Sequence, residues 1–233
     1  MFIGTLANIG TVLLGAAIGT ALGGRLPERV RQTVMASLGL LTLALGFRES
    51  LASDRFVVVL AAILLGALTG ELLRIEAGLE WVGERFRELA VGRRRAEEDG
   101  TRAGFGEGFV IASLVFCVGP LTVLGSIQDG LGDPELLFVK SGLDGFASIA
   151  FASVYGWGVA AAALTVAVVQ GGIAGLAFLL AGALDQPMVE ALSSAGGILL
   201  LGVGLRLLGL GRIRVANLLP ALLYAPLLTA WLD

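Results

Sequence analysis

Apolar residues run along this chain in long blocks rather than alternating with polar ones. Eight blocks can be read, at 3–23, 32–47, 56–73, 108–126, 136–153, 158–183, 190–208 and 214–232. A helix of roughly 20 apolar residues crosses the hydrocarbon core of a bilayer. Inside that core only helices and closed barrels satisfy every backbone N–H and C=O. The pattern therefore predicts an all-α polytopic transmembrane bundle of about eight spans, forming one domain over residues 1–233. The block at 136–153 is the most polar and is expected to be broken or partly re-entrant. One stretch, 75–104, has a different texture: Ile75, Leu79, Val82, Phe86 and Leu89 recur at helical spacing, with Glu76, Glu80, Glu84, Arg85, Arg87 and Glu88 between them. That spacing predicts an amphipathic helix lying on the membrane face with Trp81 at headgroup depth. The Arg93-Arg94-Arg95 run after it would attract anionic lipid by about 1 kcal/mol per basic residue.

Charge fixes the expected orientation. With eight spans, the loops at 24–31, 74–107 and 206–214 share one side. They carry Arg25, Arg29, Arg31, Arg74, Arg85, Arg87, Arg93, Arg94, Arg95, Arg102, Arg206, Arg212 and Arg214, against Arg48 and Arg55 opposite. The positive-inside rule puts the thirteen in the cytoplasm and both termini outside, in a cell (inner or plasma) membrane. The first block has no basic residue ahead of it and runs past any small-residue cleavage site, so it reads as a retained span rather than a signal peptide.

Composition agrees with the blocks. Of 233 residues 56% are hydrophobic and 15% charged, and the mean hydropathy is +0.89, more apolar surface than one soluble core can hide. Most of the 35 glycines lie within apolar runs, where small residues let membrane helices approach closely. Some of them repeat. Gly39, Gly46 and Arg48 match Gly197, Gly204 and Arg206 at an offset of 158, within Ser37-Leu-Gly-Leu-Leu41 and Ala195-Gly-Gly-Ile-Leu199; Gly15-xxx-Gly19 matches Gly171-xxx-Gly175 at 156. Spans 1–3 thus pair with spans 6–8. A shift of five spans reverses orientation, which gives the inverted repeat of many secondary transporters, whose substrates bind near the midplane.

Between the two repeats lie the residues with chemistry. Gly119-Pro120 inside an apolar block interrupts the helical hydrogen bonding, and the freed carbonyls need protein or a water-lined cavity to receive them. Thr122, Ser126, Gln128 and Asp129 follow. Lys140, Asp144 and Ser148 recur every four residues with Ser141 beside them, forming one polar stripe. A charge at the centre of a span costs about 2.5–3.5 kcal/mol even on the insertion scale. Lys140 has two ways out, an ion pair with Asp144 or snorkelling to the interface, and the second leaves Asp144 as the deeper charge. Asn8 and Gln170 are further polar groups within spans, suited to joining helices or to lining a site. The chain has no histidine and one cysteine, Cys117, so neither an internal disulfide nor a histidine-ligated metal site can form. No nucleotide-binding loop, nucleophile elbow or metalloprotease pair is present, and an enzyme is not expected.

The run Phe116-Cys-Val-Gly-Pro-Leu-Thr-Val-Leu-Gly-Ser-Ile-Gln-Asp-Gly130, then Lys140-Ser-Gly-Leu-Asp-Gly145 and Gln170-Gly171, with Gly4-Thr5-x-x-Asn8 at the start, resembles the uncharacterised YqgA/YdfK-like bacterial membrane proteins, labelled domain of unknown function 554. The likeness covers nearly the whole chain and implies a polytopic membrane fold without an assigned activity. Leu143-Asp-Gly-Phe-Ala-Ser148 is also similar to the Met-Asp-Ala-Phe-Ala motif of manganese exporters in the lysine-exporter superfamily, whose second aspartate motif has no counterpart here. The expected function is a secondary transporter or ion-conducting protein for a small cation or small polar solute. Its pathway residues would be Asp144, Ser148, Lys140, Ser141, Gly119, Pro120, Thr122, Ser126, Gln128, Asp129, Gln170 and Asn8. A bound monovalent or divalent cation is the one cofactor-like ligand expected. The bilayer and a second copy of the chain are the expected partners, with no nucleic acid. The alternative is a non-transporting scaffold recruiting lipid or a partner through its arginine-rich loop.

Overall fold

The computed structural model describes residues 2–23, 27–79, 81, 85, 102–117, 120–177, 184–211 and 213–232. The described residues are helical, without strands. The helices are α1 (Ile3–Gly23), α2 (Glu28–Ser50), α3 (Phe56–Leu73), α4 (Arg102–Cys117), α5 (Pro120–Leu131), α6 (Glu135–Tyr155), α7 (Gly158–Gly175), α8 (Gln186–Leu207) and α9 (Ala221–Leu232), with a 3-10 turn at Val215–Leu218 before α9. Among the described residues six stretches are long and apolar enough to cross a membrane: α1, α3, α6, α7, α8 and Val215–Leu232. Helices α4 and α5, whose axes differ by 65°, make a seventh if they form one bent crossing. Helix α2 encloses the expected block at 32–47 but carries Glu28, Arg29, Arg31, Arg48 and Glu49 at its ends, and is not among the six. The outer faces are apolar, with Leu14, Leu40, Phe47, Leu68, Leu72 and Trp231 exposed, as lipid-facing helices require.

The polar block 136–153 is a correction. It lies inside one continuous 21-residue helix, α6, neither broken nor re-entrant, because its polar groups share one buried face and leave Phe138, Val139, Leu143 and Phe146 exposed on the other. The break falls instead between α4 and α5. The carbonyl of Phe116 would normally accept from the amide four residues on, but Pro120 has none. The Thr122 hydroxyl takes its place at 3.1 Å.

Glycine sets which helices touch. A Cβ on Gly15 would sit 2.4 Å from the Gly145 carbonyl oxygen, and one on Gly19 2.2 Å from that of Ile149, so α1 meets the backbone of α6 directly. Asn8 meets Asp144, Gly15 meets Ser148 and Gly19 meets Ala152; the numbers rise together, so the two helices run parallel. Helices α4 and α7 are also parallel, with Phe105 on Gly158 and Ser113 bonded to Thr165 at 2.9 Å. Helices α2 and α8 are antiparallel, Gly39 facing Gly204 and Gly46 facing Gly197. The same holds for α3 against the last span, Gly66 on Ala221 and Gly70 on Asn217. Phe109, Phe116, Phe151, Leu199 and Val203 fill the core between α4, α6 and α8, with the Phe116 and Phe151 rings edge to face at 6.3 Å.

Of the expected amphipathic stretch at 75–104, residues 75–79 are helical; residues 80, 82–84 and 86–101, including Arg93–Arg95, lie outside the described residues. Trp81 is exposed. Glu76 departs from the expected polar surface face: it is buried, and its carboxylate accepts from Arg206 at 2.8 Å and from the Ala216 amide at 3.1 Å. A surface helix would take from Arg206 the nearer of its two carboxylate partners, Glu76 at 2.8 Å against Glu107 at 3.3 Å, and the pairing overrides the periodicity.

Candidate functional site

The buried face of α1 is Gly4, Thr5, Asn8, Val12, Gly15, Ala16 and Gly19, small residues at helical spacing interrupted by one amide. It lies against the α6 face bearing Lys140, Ser141, Asp144 and Ser148, all buried. Asn8 Nδ2 donates to Asp144 Oδ2 at 2.9 Å, and Lys140 Nζ donates to the same oxygen. Asp144 lies nine residues into α6, about 14 Å along it at 1.5 Å per residue, near the middle of the helix. Snorkelling of Lys140 is ruled out by its position: it is 5% exposed and turned inward. A carboxylate left alone at that depth would cost more than the ammonium gains by reaching the interface.

The amide orientation of Asn8 follows from this geometry, since its oxygen turned toward the carboxylate would be repelled. Its Oδ1 is then left buried without a hydrogen-bond partner in the protein. Ser148 Oγ, one turn beyond Asp144, is in the same condition, as are Ser126 Oγ on α5 and both polar atoms of Gln170 on α7. Gly130 packs on Ala174, and Ser126 and Gln170 each lie one turn before that contact. Buried polar groups normally find partners, and each of these four residues keeps a side-chain atom that has none in the protein.

Other expected pathway residues are occupied with the fold. Asp129 accepts from the amides of Gly4 and Thr5, both at 2.9 Å, and from the Thr5 hydroxyl at 2.8 Å. A carboxylate at the positive end of α1 satisfies donors that the first helical turn leaves free. Ser141 donates to the Leu137 carbonyl; for Gln128 it is the backbone carbonyl that is bonded, accepting from the Asp133 amide. Pro120 opens α5, and Gly119 lies outside the described residues. Sequence reasoning missed a second polar centre at the opposite end of the bundle. Arg206, counted above with the loop charges, ends α8 and joins Glu76 to Glu107 at 2.8 and 3.3 Å. Asn217 accepts from the Glu76 amide and donates to Glu71, which also pairs with Arg214. The repeated Arg48/Arg206 position was the available signal.

A sequence profile described as a protein of unknown function (DUF554) matches residues 3–230. The chain belongs to this family. It is 34% identical over 233 residues to the "Uncharacterized protein YqgA" of Escherichia coli (strain K12), covering 99% of this chain and 98% of the relative. It is 29% identical over 228 residues to the "Uncharacterized membrane protein YdfK" of Bacillus subtilis (strain 168), covering 96% and 93%. No solved structure matches. Membership of DUF554 agrees with the resemblance read from the central motif, and the apolar helices with a multi-pass membrane protein.

Proposed function

We propose that this DUF554 protein is a secondary transporter that carries a small cation or small polar solute past Asp144. The observation that carries the reading is the mid-helix carboxylate, held between Lys140 and Asn8 beside amide and hydroxyl oxygens that no protein donor satisfies. A scaffold gains nothing from such a costly group.

Two further features support a carrier. The first is helix direction. Eight alternating crossings, with α4–α5 as one bent span and α2 as another, make α1 parallel to α6, α4 parallel to α7, and α2 and α3 antiparallel to α8 and α9, in agreement with the packing. The second is pairing of contacts under the offset of 158. Gly39 against Leu208 maps onto Gly197 against Ser50, and Leu43 against Gly204 maps onto Leu201 against Gly46. Antiparallel packing alone makes contacts return in this way; together with the matching glycines of the two helices it is compatible with a two-fold axis in the membrane plane. On the positive-inside rule the Arg206 cluster would face the cytoplasm and Asp129 the outside. A phosphatase fused after Asp233 is expected to be active outside the cell; an inactive fusion with a working cytoplasmic reporter there would refute this topology. For the transport reading, a melting screen of the purified protein against salts and small metabolites should find at least one that stabilises the wild type but not Asp144→Asn. Equal responses would count against Asp144 as the binding group.

A further inference from the structure

Two arginines border two apolar spans at one end of the bundle. Arg74 directly follows α3, and Arg214 directly precedes the span Val215–Leu232. The spans are antiparallel, with Gly70 on Asn217, so the two arginines lie at the same end. The 18 residues of α3 cover about 27 Å at 1.5 Å per residue, close to the hydrocarbon thickness of a bilayer. A residue just beyond that length stands at headgroup depth. There Arg74 and Arg214 line a cavity of about 400 Å³ with Glu71, Glu76, Ala77 and Asn217. Arg74 closes α3 in the left-handed conformation, φ 52°, and the turn brings Glu76 and Ala77 round to wall the cavity.

The lining charges are unevenly matched. Glu71 Oε1 accepts from Arg214 and Oε2 from Asn217. Glu76 Oε1 accepts from Arg206 and Oε2 from the Ala216 amide. Glu107 shares Arg206 but does not line the cavity. Each lining carboxylate thus has an arginine of its own, and the Arg74 side chain has no partner among the described residues. A second hollow, of about 730 Å³, adjoins the first through Glu71 and Arg74 and continues along the outside of α3 over Ala67, Leu68 and Leu72. Leu68 and Leu72 are exposed.

We propose that these two hollows form a binding site for one anionic phospholipid of the phosphatidylglycerol type. Its phosphodiester takes hydrogen bonds from Arg74 and Arg214, and an acyl chain follows the groove along α3. The polar cavity opens onto an apolar groove, so the occupant must join an anion to hydrocarbon in one molecule. A guanidinium gives a phosphate two parallel hydrogen bonds, and basic pockets between membrane helices hold anionic headgroups. One negative charge balances Arg74. A phosphatidylethanolamine headgroup fits less well, because its ammonium would meet carboxylate oxygens of Glu71 and Glu76 that already accept hydrogen bonds. Fixed geometry separates this site from the diffuse attraction expected of Arg93–Arg95. It does not depend on the transport reading of Asp144.

The test is binding of tritiated dioleoyl phosphatidylglycerol to the full-length protein in detergent, read by scintillation proximity. Unlabelled phosphatidylglycerol, dioleoyl phosphatidylethanolamine and sodium phosphate serve as competitors. Wild type should bind one labelled lipid, and phosphatidylglycerol should compete at least about fivefold better than phosphatidylethanolamine, the equivalent of about 1 kcal/mol for one unmatched arginine. Sodium phosphate at the same concentration should leave the lipid bound. Arg74 is exposed, so Arg74→Gln should melt like wild type yet bind about fivefold more weakly. Arg214→Gln also leaves Glu71 without its arginine and should lose at least as much. Replacing Arg93, Arg94 and Arg95 together by Gln should leave the affinity unchanged. Equal competition by the two lipids, displacement by phosphate, wild-type affinity in Arg74→Gln, or an equal loss in the Arg93–Arg95 variant would each overturn the site. Should Arg74→Gln not fold, Arg214→Gln and the wild-type competition decide in its place.

Discussion

Asp144→Asn should melt well below the wild type, and the added change Lys140→Gln should recover most of that loss. The single change leaves a buried ammonium facing an amide. Removing one partner of a buried pair costs about 3–5 kcal/mol, whereas replacing both is often neutral. For a chain of this size that corresponds to a drop on the order of 10 °C. Recovery is expected because, among the described residues, Lys140 pairs with no carboxylate other than Asp144. If the double variant stays as unstable as the single one, Asp144 has a structural role beyond its pairing with Lys140. If the pair is only structural, the double variant recovers transport along with stability. If Asp144 is the binding group, it recovers stability alone.

The second large effect belongs to the other end of the bundle. Arg206→Met should cost roughly 2–5 kcal/mol, because it strands Glu76 and Glu107 together. Arg206→Lys should recover only part: the guanidinium reaches Glu76 through Nη1 and Glu107 through Nε, and an ammonium lacks that fork. Arg48→Met makes the control. It occupies the repeat-related position, but its side chain is 80% exposed and only 3.8 Å from Glu49, so its loss should change stability by less than about 0.5 kcal/mol. Thermal melts of the three variants decide; equal losses at Arg48 and Arg206 would contradict the buried network.

The lengths of the apolar blocks make α1, α3 and most of α6 and α7 legible in the amino-acid sequence. Helix ends are less so, since α2 and α8 extend into charged residues that hydropathy reads as loop. The polar stripe of α6 is legible from its four-residue spacing, and so is the break at Pro120, which removes one amide. The partners of those residues are not. Nothing local says that Asp129 belongs to the amides of Gly4 and Thr5, some 125 positions away, or that Glu76 turns inward to meet Arg206. Such pairings depend on which helices touch, and that is set by glycines such as Gly15 and Gly46, whose significance lies in the backbone that they admit. Asn8 stands out as a polar residue within a span, but its role as the second donor to Asp144 depends on the parallel packing of α1 on α6.

The proposed role of Asp144 is that of the binding group in a transport pathway. Its most direct test is flux into liposomes containing the purified protein, driven by gradients of alkali ions and protons and by the solutes that pass the melting screen. Wild type should show uptake, and the folded, heat-stable double variant Asp144→Asn with Lys140→Gln should show none. Undiminished flux through that double variant would contradict that role.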